Sequence, residues 1–344
     1  MKKPIKELET RVVRTYRGGA LLAEFMGRTE PDGFKPEDWI SSFVEAKNRV
    51  KIENEGLTLA ESKDGVALLA DMVSADDFGQ GREDAGVLVK LLDSAERLGI
   101  QVHPTKEYAK RVFNSEYGKT ECWHILKTRV IGGETPCIYM GFKEGITLER
   151  WRELFEKQDV YGMLNAMHRI EVCEGDTVLV RGGTPHAIGA GCFMLEIQEP
   201  SDYTMRTEKV TVAGEKLTPM QIHYGVGEEK MLDCFEYVGR SEAEMRALSF
   251  LTPREDFENP ALVHLVSYDD TPHFALDKLS GGRYLHKSES FVTLIVTKDG
   301  GTMTVQNESY QLRRGDKYFI PAGTEALLEN SYGLISYPPK KKYV

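Results

Sequence analysis

The chain has 344 residues, with 44 lysines and arginines against 54 aspartates and glutamates, and a formal net charge of −10. This acidic balance argues against nucleic acid and anionic membranes as partners, although local cations can still bind a small anionic substrate. The length suits two domains. Five cysteines without a C-x-x-C pair, and no apolar run of signal-peptide or transmembrane length, predict a cytoplasmic protein without a disulfide framework.

The first half of the chain is predicted to mix strands with helices. Residues 36–60 are expected to form short extended pieces, and TLAESKDGVALLADMV, starting at Thr58, is expected to form a helix. The apolar run AGVLVKLLDS and the stretch GIQVHP, which Pro104 ends, are typical of buried strands. Helical spacing in TKEYAKRVFNSEYG, with Thr105 as the N-cap, predicts the next helix.

The remaining chain is predicted to be mostly extended. TECWHILKTR and TPCIYMGF are predicted strands, and residues 147–168 are predicted helices broken near Gly162. Residues 170–198 contain only predicted strands and turns, and residues 260–344 alternate apolar residues with glycine turns. Many short strands separated by turn residues favour a sandwich or jelly roll.

One segment occurs twice in the chain. GDTVLVRGGTPHAIG starts at Gly175, and GDKYFIPAGTEALLE starts at Gly315. Each copy has a Gly-Asp start, alternating apolar residues and a Gly-Thr turn. His186 follows the turn in the first copy, whereas Ala326 stands at that place in the second.

These segments are similar to the second signature of the cupin family, Gly-x5-Pro-x-Gly, which a metal-binding histidine follows. The C-terminal copy matches with Gly315, Pro321 and Gly323, and the first copy has Arg181 in place of the proline. The resemblance implies a mainly β fold of two cupin (jelly-roll) barrels with helical insertions. We expect a metal-binding cupin domain over residues 1–235, a metal-free one over residues 236–344, and helical insertions at about 55–75, 105–117 and 147–168.

Four residues are candidate metal ligands. Gln101 and His103, two apart on a predicted strand, project from the same face. Glu121 lies on a following strand, and His186 occupies the cupin histidine position. An amide oxygen, two imidazoles and a carboxylate suit Zn²⁺, and would also suit Mn²⁺, Fe²⁺, Co²⁺ or Ni²⁺. The other six histidines are interpreted as surface or satisfied core residues.

Two longer blocks resemble the type I mannose-6-phosphate isomerases, which are zinc-dependent cupin enzymes. They are VKLLDSAERLGIQVHPTKEYAKRVFNSEYGKTECWHIL, residues 89–126, and GTPHAIGAGCFMLEIQEPSDYTMR, residues 183–206. The resemblance implies a sugar-phosphate substrate and one zinc ion per chain. The zinc ligands that it implies are Gln101, His103, Glu121 and His186.

The same resemblance implies the residues that act on substrate. Arg206 maps to the pocket arginine and Glu196 to the carboxylate on the strand after the histidine ligand. Lys90 and Lys119 map to the two lysines near the sugar phosphate, and Lys119 is also a candidate for moving protons. Isomerisation between mannose 6-phosphate and fructose 6-phosphate passes through an enediol, for which Glu196 is the candidate base. A metal-bound water or another residue is the rival base.

The family pattern is not followed everywhere, and the departures keep alternatives open. Met205 stands where an aromatic residue is usual, and Arg17 precedes Gly18 where a tryptophan is usual. Both positions are expected to border the substrate. The alternatives are a metal-binding cupin that acts on another sugar or sugar phosphate, a cupin dioxygenase, and a non-catalytic sugar-binding cupin.

Overall fold

The computed structural model describes residues 2–340, which form four antiparallel sheets connected by short helices. The N-terminal elements are β1 (Ile5–Glu7), β2 (Arg11–Val12), α1 (Ala20–Phe25), β3 (Glu37–Ile40), β4 (Leu59–Ser62), β5 (Gly65–Leu68), α2 (Leu69–Met72) and α3 (Ala75–Phe78). The central elements are β6 (Leu88–Asp93), β7 (Gln101–Val102), α4 (Lys106–Phe113), β8 (Glu121–Thr128), β9 (Cys137–Phe142), α5 (Leu148–Glu156), α6 (Val160–Asn165), β10 (Met167–Glu171), β11 (Thr177–Val180), β12 (His186–Ile188), β13 (Cys192–Gln198) and β14 (Met205–Arg206).

Three helices separate these elements from the C-terminal strands: α7 (Pro219–His223), α8 (Glu228–Leu232) and α9 (Glu242–Ser249). The C-terminal strands are β15 (Arg254–Glu255), β16 (Leu262–Val266), β17 (Ala275–Ser280), β18 (Arg283–Lys287), β19 (Val292–Val296), β20 (Thr302–Val305), β21 (Glu308–Gln311), β22 (Lys317–Ile320), β23 (Glu325–Glu329) and β24 (Tyr332–Tyr337). No helix lies among them up to residue 340, as the alternating pattern predicts.

The four sheets form two face-to-face pairs. A six-stranded sheet, β11-β8-β13-β6-β3-β2, packs on a five-stranded sheet, β10-β9-β12-β7-β14, through a shared apolar cluster. A nine-stranded sheet, β15-β16-β17-β24-β19-β22-β1-β4-β5, packs in the same way on a four-stranded sheet, β18-β23-β20-β21. This arrangement confirms the predicted mainly β fold with two cupin-like barrels.

The two barrels also bury apolar side chains against each other. Val89 and Leu195 of the six-stranded sheet share a core cluster with Ile295 and Phe319 of the nine-stranded sheet. Because side chains alternate along a strand, the neighbours of Val89 and Leu195 point the other way, into the first barrel. The six-stranded sheet therefore has one face in the interface between the barrels and one face available for a site.

One predicted helical insertion is wrong. The segment at about 55–75 is mainly the hairpin of β4 and β5, and only the short helix α2 follows it. Ser62 pairs with Gly65, so Lys63 and Asp64 form a two-residue turn, and Gly65 has φ +120°. Gly65, directly after this turn, adopts the positive φ without strain, and tertiary pairing of β4 with β1 prevails over the helical spacing.

The other two insertions contain helices. Helix α4 lies within residues 105–117, and Thr105 caps it by accepting a hydrogen bond from the Tyr108 backbone. Helices α5 and α6 lie within residues 147–168. Their break is at residues 157–159 rather than at Gly162, because the Asp159 side chain accepts the Gly162 N–H and starts a new helix.

The second barrel has a histidine opposite, and not at, the position that corresponds to His186. Ala326 on β23, the counterpart of His186, pairs in register with the buried His286 on β18. Among residues 2–340, the only group of three or more histidine, cysteine or acidic residues able to hold a metal lies in the first barrel.

A buried ion pair connects the N-terminal strands to the nine-stranded sheet. The Lys317 ammonium on β22 contacts the Asp38 carboxylate on β3 and donates to the Leu8 carbonyl at 3.2 Å. Both charged side chains are almost completely buried, at 1% and 0% exposure. Strands β1, β4 and β5, from the first 68 residues, add to the sheet of C-terminal strands. The domain boundary after residue 235 stays a prediction.

Replacing Lys317 by methionine is expected to lower the free energy of unfolding by about 3–5 kcal/mol, because Asp38 would keep a buried charge without its partner. Urea denaturation followed by tryptophan fluorescence measures the change. Lys287→Met is the matched control, since Lys287 forms an exposed ion pair with Glu325 and should change stability little. Equal unfolding midpoints for the two variants would contradict the prediction.

Candidate metal centre and active site

A row of three side chains crosses the five-stranded sheet. Gln101 on β7 pairs in register with His186 on β12 and, on its other side, with Arg206 on β14. Residues directly opposite each other in antiparallel strands project from the same face. Sheet register thus brings together one predicted pocket arginine and two predicted metal ligands that are far apart in sequence.

A second row crosses the facing six-stranded sheet. Glu196 on β13 pairs with Lys90 on β6 and with Trp123 on β8, and Lys90 pairs with Trp39 on β3. The rings of Trp123 and His186 lie 5.6 Å apart in an edge-on arrangement, which places the two rows against each other inside the first barrel. The chemistry-bearing side chains therefore face one another across the barrel.

His103, Glu121 and His186 form the candidate metal group. One ligand atom from each lies within 4.8 Å of the others, and all three residues are at most 1% exposed. Glu121 opens β8 and His186 opens β12, whereas His103 follows β7 directly. The group therefore lies where two neighbouring strands of the five-stranded sheet and one strand of the facing sheet begin or end.

Backbone carbonyls orient both imidazoles toward Glu121. His103 Nδ1 lies 2.9 Å from the Tyr203 carbonyl, and His186 Nδ1 lies 2.9 Å from the Thr184 carbonyl. Only a protonated Nδ1 can donate to a carbonyl, so the unprotonated Nε2 of each neutral ring faces the carboxylate. The Nε2 atom of His186 is buried without a hydrogen-bond partner. This carbonyl–imidazole arrangement is the one that supports histidine ligands of metals.

The protonation states suit metal ligands. Burial lowers the pKa of His103 to about 4 and also lowers the pKa of His186, so both rings are neutral at pH 7. Burial would raise the pKa of Glu121, but its polar neighbours, the Lys119 ammonium among them, outweigh burial and lower that pKa well below its usual range. The group thus presents two neutral imidazoles and one carboxylate.

The Lys119 ammonium lies where these donors converge. Its Nζ atom is 2.9 Å from His103 Nε2 and 2.8 Å from Glu121 Oε2. His103 Nε2 and Glu121 Oε2 are themselves only 3.1 Å apart, and two acceptors so close repel each other unless a cation neutralises them. Glu121 Oε2 has no aligned hydrogen bond despite its close contacts. Because His186 Nε2 and Glu121 Oε2 are both buried without a hydrogen-bond donor, the group of two imidazoles and one carboxylate fits a divalent cation.

A cavity of about 50 Å³ borders this group. His103, Glu121 and His186 do not line the cavity themselves, but Lys119 lines it and contacts both His103 and Glu121. Five predicted site residues line it together: Lys90, Gln101, Lys119, Glu196 and Arg206. The distances between ligand atoms that define the metal group concern His103, Glu121 and His186. The role of Gln101 as a metal ligand stays a prediction.

Lys90 and Glu196 form a buried pair in this cavity. Lys90 Nζ lies 3.0 Å from Glu196 Oε1 and 4.0 Å from Glu37 Oε2, and Trp123 Nε1 donates to Glu196 Oε2 at 3.2 Å. Burial disfavours the charged ammonium, but Glu196 and Glu37 outweigh burial and raise the pKa of Lys90. Both residues are therefore held in fixed positions as a charged pair.

Sequence reasoning missed three charged residues and one tyrosine of this cavity: Arg14, Glu37, Asp202 and Tyr16. Arg14 bridges Glu37 at 2.9 Å and Asp202 at 3.2 Å, and the Tyr16 hydroxyl donates to Glu37 at 2.6 Å. Burial opposes ionisation of Glu37, but Arg14 and Lys90 lower its pKa to about 2. The two carboxylates lie in stretches that already resembled the family, Glu37 in EDWISS and Asp202 in SDYTMR, so the sequence held a signal for them. Nothing in the sequence around Arg14 marks it as a site residue.

The two departures from the family pattern do not line this cavity. Met205 is completely buried in an apolar cluster, although its neighbour Arg206 faces the cavity. Arg17 forms an ion pair with Glu96 at 3.1 Å and is largely exposed. The backbone alternation of β14 turns Met205 away from this cavity, and the expectation that the two positions border the substrate stays a prediction.

The remaining histidines have the structural roles that the sequence predicts, with one exception. Hydrogen bonds or ion pairs hold His124, His168, His223, His264 and His273. His286 is buried, but its Nδ1 atom has no partner among the described residues.

The chain is similar in sequence to proteins named mannose-6-phosphate isomerase. A protein of Bacillus subtilis (strain 168) named "Probable mannose-6-phosphate isomerase GmuF" is 37% identical over 311 residues, which is 89% of each chain. The chain belongs to the mannose-6-phosphate isomerase family. Another relative, mannose-6-phosphate isomerase ManA of the same organism, is 28% identical over 316 residues and also 89% of each chain. No family model matches the chain.

Solved structures of the mannose-6-phosphate isomerase family share the fold. The mannose 6-phosphate isomerase from Bacillus subtilis has a TM-score of 0.75 at 22% identity, over 97% of this chain and 99% of that one. A mutant phosphomannose isomerase from Salmonella typhimurium has a TM-score of 0.73 at 15% identity, over 98% and 99%. At these identities the likeness establishes the double-barrel fold.

Two further observations concern the family member as a whole. None of the helices in residues 2–340 is both long and apolar enough to cross a bilayer. All five cysteines are free, and four of them are buried as small apolar side chains.

Proposed function

We propose that this protein is a metal-dependent aldose–ketose isomerase that interconverts mannose 6-phosphate and fructose 6-phosphate. The observation that carries the proposal is the buried group of His103, Glu121 and His186 beside a cavity lined by a paired carboxylate and an arginine. Membership of the mannose-6-phosphate isomerase family supports the substrate. We place the enzyme in the cytoplasm, which its five free cysteines favour.

The metal in this proposal is one Zn²⁺ ion per chain. His103, Glu121 and His186 would hold it, with the amide oxygen of Gln101 as the fourth ligand. Two imidazoles with oxygen donors are a usual zinc set, although other divalent metals of the first transition row accept the same donors. When bound, the metal supplies a Lewis acid that polarises the carbonyl and hydroxyl oxygens of the sugar.

The residues of the chain then perform the proton transfer. Glu196 accepts the proton from the carbon next to the carbonyl and returns it to the neighbouring carbon, and the enediol forms between these two steps. Lys90 and Trp123 hold both oxygens of Glu196, which fixes the carboxylate against the cavity. The Arg206 guanidinium stabilises the negative charge that develops on the sugar oxygens. The Lys119 ammonium can give a proton to the former carbonyl oxygen, and the amine that remains can take the proton of the neighbouring hydroxyl.

The phosphate role of Lys90 and Lys119 stays a prediction, and two observations weigh against it. Their side chains are only 2% and 6% exposed, and each ammonium lies within 3.0 Å of a carboxylate oxygen. A dianionic phosphate would have to enter a buried space in which the cations are already neutralised.

A coupled assay of mannose 6-phosphate conversion to fructose 6-phosphate tests the proposal. Purified protein, chelator-stripped protein and stripped protein given zinc are compared, with metal content measured in each. We expect activity to disappear with the metal and to return with zinc. Metal-loaded protein without activity would refute the proposed substrate. Oxygen consumption by an iron-loaded sample would instead indicate a cupin dioxygenase.

A further inference from the structure

A phosphomonoester substrate needs cations that are accessible and not already neutralised. A wide cavity of about 680 Å³ at the mouth of the barrel shares Arg14, Thr15 and Arg206 with the small inner cavity. Five cationic side chains line this mouth cavity, with Glu45 as the only acidic side chain among its lining residues. The cations are Arg14, Lys47, Arg49, Lys51 and Arg206.

Ion pairing divides these five cations into two groups. Arg14 binds Glu37 and Asp202, Arg49 lies 3.5 Å from Glu215, and Lys51 lies 3.3 Å from Glu45. In residues 2–340, Lys47 and Arg206 have no carboxylate oxygen within 4.0 Å of their side-chain nitrogens. These two cations keep a net charge that an anion can neutralise.

Aromatic rings hold the Lys47 ammonium in place. Its Nζ atom lies 3.7 Å from the centre of the Tyr203 ring and 5.2 Å from that of Tyr224. A cation over ring faces is fixed without losing its charge or its capacity to donate hydrogen bonds. Lys47 is exposed, so this ammonium is open to a ligand.

Residues near Tyr224 also hold Arg206 in place. Its Nη1 atom donates to the Gln221 carbonyl at 2.6 Å and approaches the Thr204 carbonyl at 3.3 Å. The Tyr224 hydroxyl donates to the Asp202 carbonyl and accepts from the Thr204 N–H. Tyr224 thus contacts Lys47 while it fixes the loop that precedes Arg206.

A backbone contact joins the Lys47 segment to this frame. The Lys47 N–H donates to Asp202 Oδ2 at 3.0 Å, and Arg14 holds the same carboxylate. Lys47 and Arg206 therefore have a common support, although 159 positions separate them in the sequence. Such shared support limits how far the two cations can move relative to each other.

We propose that the Lys47 ammonium binds the phosphate of the substrate at the barrel mouth, a contact that we call the clamp, and that Arg206, which lines both cavities, lies between this phosphate and the sugar oxygens that it stabilises. The ligand is a phosphomonoester dianion, and its phosphate lies in the mouth cavity while the sugar extends into the inner cavity toward Glu196. This inference rests on the proposed isomerase function. It makes Lys47 a specificity residue for phosphorylated over unphosphorylated sugars.

Steady-state kinetics and phosphate titration of Lys47→Ala test the clamp. The KM for mannose 6-phosphate should rise about 10- to 100-fold, with kcat changed little, because a charge-assisted hydrogen bond to substrate is lost. The affinity for inorganic phosphate, measured by calorimetry on metal-loaded protein, should fall by a similar factor. Lys47→Arg should restore most of both. Lys340→Ala is the matched control, since Lys340 lies over the Tyr268 ring at 4.6 Å, outside both cavities.

The two measurements separate the clamp from the isomerase proposal. If wild-type protein does not convert mannose 6-phosphate, the isomerase proposal fails, and the phosphate titration still decides about Lys47. If wild-type protein is active and Lys47→Ala changes neither the KM nor the phosphate affinity by more than about twofold, the clamp is wrong. Unchanged thermal unfolding of the variant shows that the exposed substitution leaves the fold intact.

Discussion

Replacing His186 by alanine is expected to remove the bound metal and to lower isomerase activity by about 10³-fold or more. His186 is fully buried and supplies an Nε2 lone pair that no hydrogen bond occupies, so its loss leaves His103 and Glu121 as an incomplete donor set. Metal content of the purified variant, measured by mass spectrometry, and the rate with added zinc give the two readouts.

His286→Ala is the matched control for this experiment. His286 is a buried histidine on the strand that pairs with Ala326, the counterpart of His186 in the second barrel. Its removal creates a cavity of the same kind, but we expect metal content and activity to stay near wild type. A His186→Ala protein that keeps its full metal content and rate would show that the catalytic metal is not bound by this group.

Glu196→Gln is expected to lower kcat by about 10²–10⁴-fold while the KM for mannose 6-phosphate changes little. Glutamine has almost the same size and can still accept the Trp123 N–H, but it cannot take a proton from the substrate carbon. Steady-state kinetics measure the loss. Exchange of the transferred hydrogen with deuterated solvent, followed by NMR, reports the proton transfer directly.

Glu7→Gln controls for the loss of a buried carboxylate. Glu7 is 3% exposed and accepts the Ser41 N–H at 2.8 Å, between the N-terminal strands and away from the inner cavity. We expect it to leave kcat unchanged. A Glu196→Gln enzyme with a rate within tenfold of wild type would transfer the role of base to Lys119 or to solvent.

The ion pair between Lys90 and Glu196 limits what a Lys90 variant can show about phosphate binding. Removal of Lys90 would leave Glu196 and Glu37 as two buried carboxylates without their shared cation. Such a variant would lose activity through the position and charge of Glu196, even if Lys90 never touches phosphate. Loss of activity alone therefore does not identify a phosphate ligand, whereas the change in inorganic phosphate affinity does.

The double-barrel fold and the metal group could be predicted from the sequence because their signals are local. The repeated Gly-Asp segments report the hairpins, and the difference between His186 and Ala326 shows which barrel keeps the metal group. The spacing of residues 101–103 predicts ligands close together near one strand. Local spacing was misleading for residues 59–68, because the tight turn at Lys63 and Asp64 and the pairing of β4 with β1 override a helical apolar pattern.

Only the tertiary structure decided which charges of the site are free to bind substrate. The partners of Lys90 and Arg14 lie 106 and 188 positions away, at Glu196 and Asp202. Whether such groups meet depends on sheet register and on how two sheets face each other, and neither is encoded by residue spacing along one strand. Sequence similarity alone therefore pointed to the buried lysines for phosphate. The structure shows these lysines neutralised and Lys47 exposed over two tyrosine rings at the mouth.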